Sequence, residues 1–482
     1  MAGTIYWHDY ETFGTRPATD WPSQFAGLRT DLELNEIDEA PLMHYCAPPD
    51  DQLPAPEACL VTGITPQLAL QEGCCEAEFI ARIHQAFSVP GTCVAGYNSL
   101  RFDDEVTRHG LYRNFFDPYG REWKNGNSRW DIIDLVRLTE ALRPEGIEWP
   151  LREDGLPSFR LEELTAANGI AHEAAHDALS DVRATIALAR LIRQHQPRLY
   201  DFAFNHRQKQ MVSRYLNPQQ KSPLVHVSGR YPASRHSLAL VLPVAVHPEN
   251  SNGVIVVDLA SDPELLLSLS VEELQRRLYT RSSELEEGVE RPGLKTVHIN
   301  RCPVIAPLNV LREGDIQRLQ LDMVSMKRNY ERLLAAPELV AKLQQVMTSG
   351  EREPQRDPDH MIYSGGFFGP GDRERMEQIR RTPVEELALI EPAFEDARLE
   401  EMLFRYRGRN YPDSLSPEER QRWQQFRHKR LLQDDGGGGR TLADYFRRID
   451  ELRVERSDPQ SLHILNELHK WGEQLQQGLL MD

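Results

Sequence analysis

The chain has 482 residues, 40% of them hydrophobic, and 56 Lys and Arg against 74 Asp and Glu, a formal net charge of −18. That length exceeds one typical core, so two to four domains are expected. No run of about 18 apolar residues occurs, which excludes a membrane-spanning helix, and the acidic balance argues against indiscriminate coating of nucleic acid while leaving room for a local basic channel.

Residues 1 to 197 alternate between strand and helix patterns. Strands are predicted over 4–10, 24–31 and 92–97, and helices over 75–87, 104–113, 131–141, 160–168 and 178–194, an α/β order. Residues 198–349 read as β-rich, with strands at 224–227, 238–246, 253–259 and 294–299 and helical insertions at 263–279 and 313–347. A small barrel fits that pattern. A polar, Pro-containing stretch at 350–360 reads as a linker. Beyond it, up to residue 482, helices are predicted over 371–381, 395–407, 416–431, 441–454 and 458–477, with Gly436–Gly439 breaking the run.

Six cysteines are scattered without a Cys-x-x-Cys pair, so neither a zinc ribbon nor a disulfide framework is expected and a reducing compartment is the default. The first residues run into a strand with no basic-then-apolar leader, which makes the cytoplasm the expected location.

Three stretches hold the chemistry. On the first strand Asp9 and Glu11 stand two residues apart and therefore share a face. Two like charges there repel unless a cation or water separates them. The second stretch, Gly96 to Val106, follows a strand and opens a helix with Asp103 and Asp104; either alone could be no more than a cap. The third is His176-Asp177-Ala178-Leu179-Ser180-Asp181, where Asp181 falls in the first turn of a long helix.

In chain order these are Asp9-x-Glu11, Asn98-x-x-x-Phe102-Asp103 and His176-x-x-x-x-Asp181, and the pattern resembles the His-bearing branch of the DEDD exonuclease superfamily. The stretches HDYETFGTRPA, YNSLRFDDEVTRHGLYRNFFDPY, RPEGIEWP, DGLPSFRLEEL, PLVHVSG, HPEN and VHINRCPV are similar to the bacterial exonuclease I family, from residue 8 to about 303. The resemblance implies a ribonuclease H-like α/β nuclease domain, an SH3-like β-barrel domain and a helical C-terminal domain. It implies processive 3′→5′ release of 5′-mononucleotides from single-stranded DNA, in repair and recombination, by a monomer.

It further implies two Mg2+ ions, replaceable by Mn2+, held by Asp9, Glu11, Asp103 and Asp181, with His176 as general base. Hard cations of this kind take oxygen ligands, and a pair of them suits phosphodiester hydrolysis. An unperturbed imidazole titrates near 6.5, which suits proton transfer near neutral pH. Locally Asp104 could stand in for Asp103; the family pattern, with Asp directly after Phe102, selects Asp103. Glu11 and Arg160 correspond to contacts with the terminal nucleotide. Arg108, Tyr119, Trp123, Arg137, Lys209, Asn252, Lys295, Asn300 and Tyr363 correspond to strand contacts, and Arg143 and Arg312 to docking of the acidic tail of single-stranded DNA-binding protein.

Besides a catalytically silent nucleic-acid-binding module, against which the complete acidic and His positions argue because binding alone would favour cations there, two rival readings exist. His172-Glu173-Ala174-Ala175-His176 matches the His-Glu-x-x-His zinc-protease motif, but it precedes the predicted helix and lacks a third downstream ligand. A related exoribonuclease is the other, although such proteins are usually little more than the nuclease domain.

Overall fold

The computed structural model describes residues 3–37, 40–172, 177–281, 283–348, 350, 355–434 and 436–480. They divide into two compact units, one formed by residues 1–128, 172–183 and 353–482, the other by 129–171 and 184–352.

The first unit is built on β1 (Thr4–Thr12), β2 (Pro22–Thr30), β3 (Leu42–Tyr45) and β4 (Thr92–Gly96), in the order β3-β2-β1-β4. β1 pairs antiparallel with β2 along its length but parallel with β4 only from Thr4 to Trp7. The β1–β4 pairing ends at Trp7, and Asp9 and Glu11 follow beyond it. Tyr6, His8 and Tyr10 point to the opposite face, where Phe25, Phe79 and Phe87 surround them. The helices Leu442–Glu455 and Pro459–Gly478 complete this core through Tyr445, Ile449, Leu465 and Leu468. The helix Arg398–Asn410 is tied in by Arg409, whose guanidinium reaches Asp51 and Asp359, each at 2.9 Å.

The C-terminal helices begin where side-chain caps dictate. Ser416 and Glu419 form a reciprocal capping box around Pro417, and Thr441 and Asp458 each accept a backbone N–H of the following turn.

β5 (Ser128–Asp131) begins with the last residue of the first unit's opening segment and continues into the second unit. The second unit contains an antiparallel sheet of β6 (Leu224–Val227), β7 (Leu238–Val246), β8 (Gly253–Asp258), β9 (Leu294–His298) and β10 (Val304–Pro307), ordered β10-β6-β7-β8-β9. Leu240, Leu242, Ile255 and Val257 bury one face with Leu138, Leu142 and Leu343. The predicted helix over 263–279 is two, Glu264–Ser268 and Val271–Tyr279, because Ser270 caps the second through the Glu273 N–H. The predicted 313–347 helix is three, Glu313–Arg318, Met323–Leu334 and Leu339–Met347, with Asp322 capping the second and Pro337 preceding the third.

Four histidines are enclosed in these units. Burial lowers His8 and His84 to about 4 and His109 and His226 to about 3, from 6.5. They are neutral when folded, whereas in the unfolded chain they protonate below 6.5. Their contribution is therefore complete above pH 6.5 and lost as pH falls toward the folded values. Each costs about 2 kcal/mol by pH 5. Urea midpoints measured from pH 7 to 5 should drop steeply; a flat profile would contradict neutral burial.

Candidate active site

Asp9 and Glu11 reach the site because the two-residue repeat of β1 sends both to the sheet face opposite Tyr6, His8 and Tyr10. Asp103 comes from the next crossover. Gly96 ends β4 so close to β1 that a Cβ there would lie 2.8 Å from the His8 carbonyl. Asn98 then turns the chain at φ 59°, a left-handed position that Asn tolerates. The helix Asp103–Arg113 starts directly behind it. Asp103 Oδ1 accepts the Tyr10 N–H at 3.1 Å, a donor that the absent β4 pairing leaves available. Asp104 turns elsewhere, buried against Arg121 at 2.5 Å. Asp181 is presented by the first turn of the helix Ala178–His195.

One carboxylate oxygen each of Asp9, Glu11 and Asp181 lies within 4.8 Å of the other two. Asp103 falls outside that tight set but acts on both strand residues electrostatically. Burial, then repulsion from Asp103, Glu11 and Asp181, pushes Asp9 well above the ordinary carboxylate range. Burial, then Asp181, Asp103 and Asp177, raises Glu11 to about 8. Four acids with this mutual cost fit divalent cations, whose charge would remove the repulsion. Without a cation, the raised Glu11 value means folding is favoured below about 4.5 and loses that contribution as pH rises through 8. A divalent cation should therefore raise the thermal midpoint more at pH 8.5 than at pH 5; an equal shift at both would count against the cluster.

His176 lies outside the described residues, as do Glu173 to Ala175. His172 does not: it sits in a loop ahead of the helix, with Nε2 2.5 Å from Asp181 Oδ1. In the sequence it stands out only as half of a protease-like motif. Its imidazole instead engages the carboxylate cluster, and nothing in its spacing from Asp181 signals that contact.

The remaining candidates fall into two groups. In the first unit, Arg108 is buried and its guanidinium bonds Glu105 (2.8 Å), Glu122 (2.7 Å) and the Tyr363 hydroxyl (3.3 Å). It thus fixes neighbours rather than offering an exposed charge. Tyr119 lies under Arg108, Trp123 is 65% exposed beside Lys124, and Tyr363 is 56% exposed with its hydroxyl bonded to Glu105.

In the second unit, Arg160 is 72% exposed and 3.7 Å from Glu163. Arg137 pairs with Asp134 at 2.8 Å and covers Phe159. Both line a cavity of about 590 Å3 with Arg152, Arg230, Phe159 and Tyr231. Sequence reading did not single out Arg152 or Arg230, because they converge from separate loops. Lys209 Nζ meets Asn252 Oδ1 at 2.6 Å, Lys295 Nζ lies 2.9 Å from His226 Nε2, and the Asn300 carbonyl accepts from Arg129 at 3.0 Å. Arg143 bonds Asp315 at 3.0 Å and lines, with Arg312, a cavity of about 410 Å3 floored by Leu138, Leu142, Leu199 and Phe202.

Sequence profiles of three families match in succession: Exonuclease over residues 6–189, Exonuclease I SH3-like domain over 207–349 and Exonuclease I C-terminal domain over 356–475. Exodeoxyribonuclease I of Escherichia coli K12 is 49% identical over 427 residues, 88% of this chain and 89% of the relative. The chain belongs to the exodeoxyribonuclease I family. Among solved structures, the moderately thermophilic exonuclease I of Methylocaldum szegediense superposes with a TM-score of 0.94 at 54% identity, covering 98% of this chain and 99% of the other. E. coli exonuclease I in complex with a dA16 oligonucleotide gives 0.93 at 45%, covering 98% and 100%. An ExoI/SSB-Ct complex gives 0.91 at 44%, with the same coverage. The family assignment extends to all three segments the α/β, SH3-like and C-terminal order expected from the residues.

Proposed function

We propose that this exodeoxyribonuclease I family member degrades single-stranded DNA from its 3′ end to 5′-mononucleotides, processively and as a monomer, in cytoplasmic repair and recombination. The observation that supports it best is the convergence of Asp9, Glu11 and Asp181, with Asp103 beside them, into one mutually repelling set. Asp9, Glu11, Asp103 and Asp181 would hold two Mg2+, or Mn2+. Bound cations supply charge neutralisation and activation of water for an in-line displacement.

The chain's own side chains do the rest. His176 takes the proton of the attacking water. Glu11 meets the terminal 3′-hydroxyl, and Arg160 contacts the terminal nucleotide. The guanidinium groups of Arg137, Arg152 and Arg230 line the same cavity as Arg160 and suit a phosphate backbone. Tyr119, Trp123 and Tyr363 offer rings for bases, while Lys209, Asn252, Lys295 and Asn300 track the strand in the second unit. Arg143 and Arg312 flank an apolar floor, a match for the acidic tail of single-stranded DNA-binding protein.

A timed digest with Mg2+ of 5′-labelled single-stranded DNA, the same strand in duplex, and a matched RNA tests the reading. Recession of the 3′ end with mononucleotide release from the single strand alone is expected. Equal digestion of RNA would favour the exoribonuclease reading, and no shortening of any substrate would overturn both.

A further inference from the structure

Phe367 is 86% exposed, the most exposed aromatic side chain among the described residues. Burying such a ring is favourable, so leaving it in water forgoes stabilisation. Its position is nonetheless fixed. The adjacent Phe368 is buried and stacks on Tyr112, with centroids 5.8 Å apart and planes inclined by 14°. Arg398 covers Phe368 at 4.5 Å and donates to the Gly366 carbonyl at 3.2 Å and the Tyr112 hydroxyl at 3.2 Å. Gly366 turns at φ +74°, and a Cβ on Gly365 would meet the Arg398 guanidinium at 1.8 Å. The two glycines and the anchored Phe368 thus hold the neighbouring ring outward on a rigid support.

The exposed ring meets Tyr119 edge to face at 5.9 Å. Tyr119 in turn lies under Arg108, which also holds Tyr363. Flat rings held in place, with cations interleaved, are what unpaired bases need for stacking. We infer that Phe367 is a stacking platform for one base of the single-stranded DNA substrate, extending the surface of Tyr119 and Tyr363. This inference rests on the reading of the chain as a single-strand exonuclease.

The test uses the full chain carrying Asp181→Ala, so that DNA is bound but not consumed. Affinity for oligo(dT) is measured by fluorescence anisotropy for that parent and with Phe367→Ala, Phe367→Leu and Phe367→Trp added. An abasic nucleotide is then walked from the 3′ end. Alanine and leucine should weaken binding roughly tenfold and tryptophan should restore it. One abasic position should cost the parent a similar factor and the alanine variant nothing. Unchanged affinity in Phe367→Ala, rescue by leucine, or equal abasic penalties in parent and alanine variant would overturn the inference. If wild-type chain degrades single-stranded DNA and these results still fail, only the role of Phe367 falls. If wild-type chain neither binds nor degrades it, the proposed function falls first.

Discussion

Asp181→Ala should abolish cleavage, lowering kcat by at least about 10³-fold, while single-stranded DNA still binds. Asp181 contributes one of the three oxygens that lie within 4.8 Å of one another. Its loss would remove a proposed ligand and also one of the charges that raise Asp9 and Glu11. The cluster would then be weaker toward cations and less costly without them. The variant should consequently gain about 1 kcal/mol of stability in chelator, a trade between stability and activity. Single-turnover digestion and thermal midpoints with and without Mg2+ check both halves. Turnover within tenfold of the parent would remove Asp181 from the ligand set.

The second large effect is expected from His176→Ala, which should slow hydrolysis by about 10²–10⁴-fold with divalent-cation affinity nearly unchanged. A general base moves a proton without holding the ion, so the two readouts separate. His172→Ala is the informative companion, because the His172 imidazole lies 2.5 Å from Asp181. If His172→Ala abolished the acidic limb of the pH–rate profile while His176→Ala retained it, the base would be reassigned. With the roles as proposed, His172→Ala disturbs cation affinity more than the pH profile, since its partner is a ligand.

Much of this was visible in the residues. β1 could be read because apolar and β-favouring residues precede two same-face carboxylates, and the C-terminal helices from their helical patterns, whose starts the structure places at the caps Ser416, Thr441 and Asp458. β3, β5 and β10 went unread because four residues of mixed character give no pattern, whereas the equally short β6 is legible as the apolar run Leu224-Val225-His226-Val227. The choice between Asp103 and Asp104 is not local either: it depends on Arg121, far along the chain, taking Asp104. The same holds for Arg108. Sequence shows a cation one helical turn from Glu105, but its engagement by Glu122, outside that helix, appears only once the chain folds back. His172 is the clearest omission, since a ring in a loop gains its partner from where the loop lies, not from spacing.

Calorimetric titration of Mn2+ into the wild-type chain and into Asp9→Asn bears most directly on the acidic cluster. Wild-type chain should take up the ion and show a higher thermal midpoint, and Asp9→Asn should lose both effects together with nuclease activity. Asp9→Asn binding Mn2+ as tightly as wild type would mean that these four carboxylates are not where the cations sit.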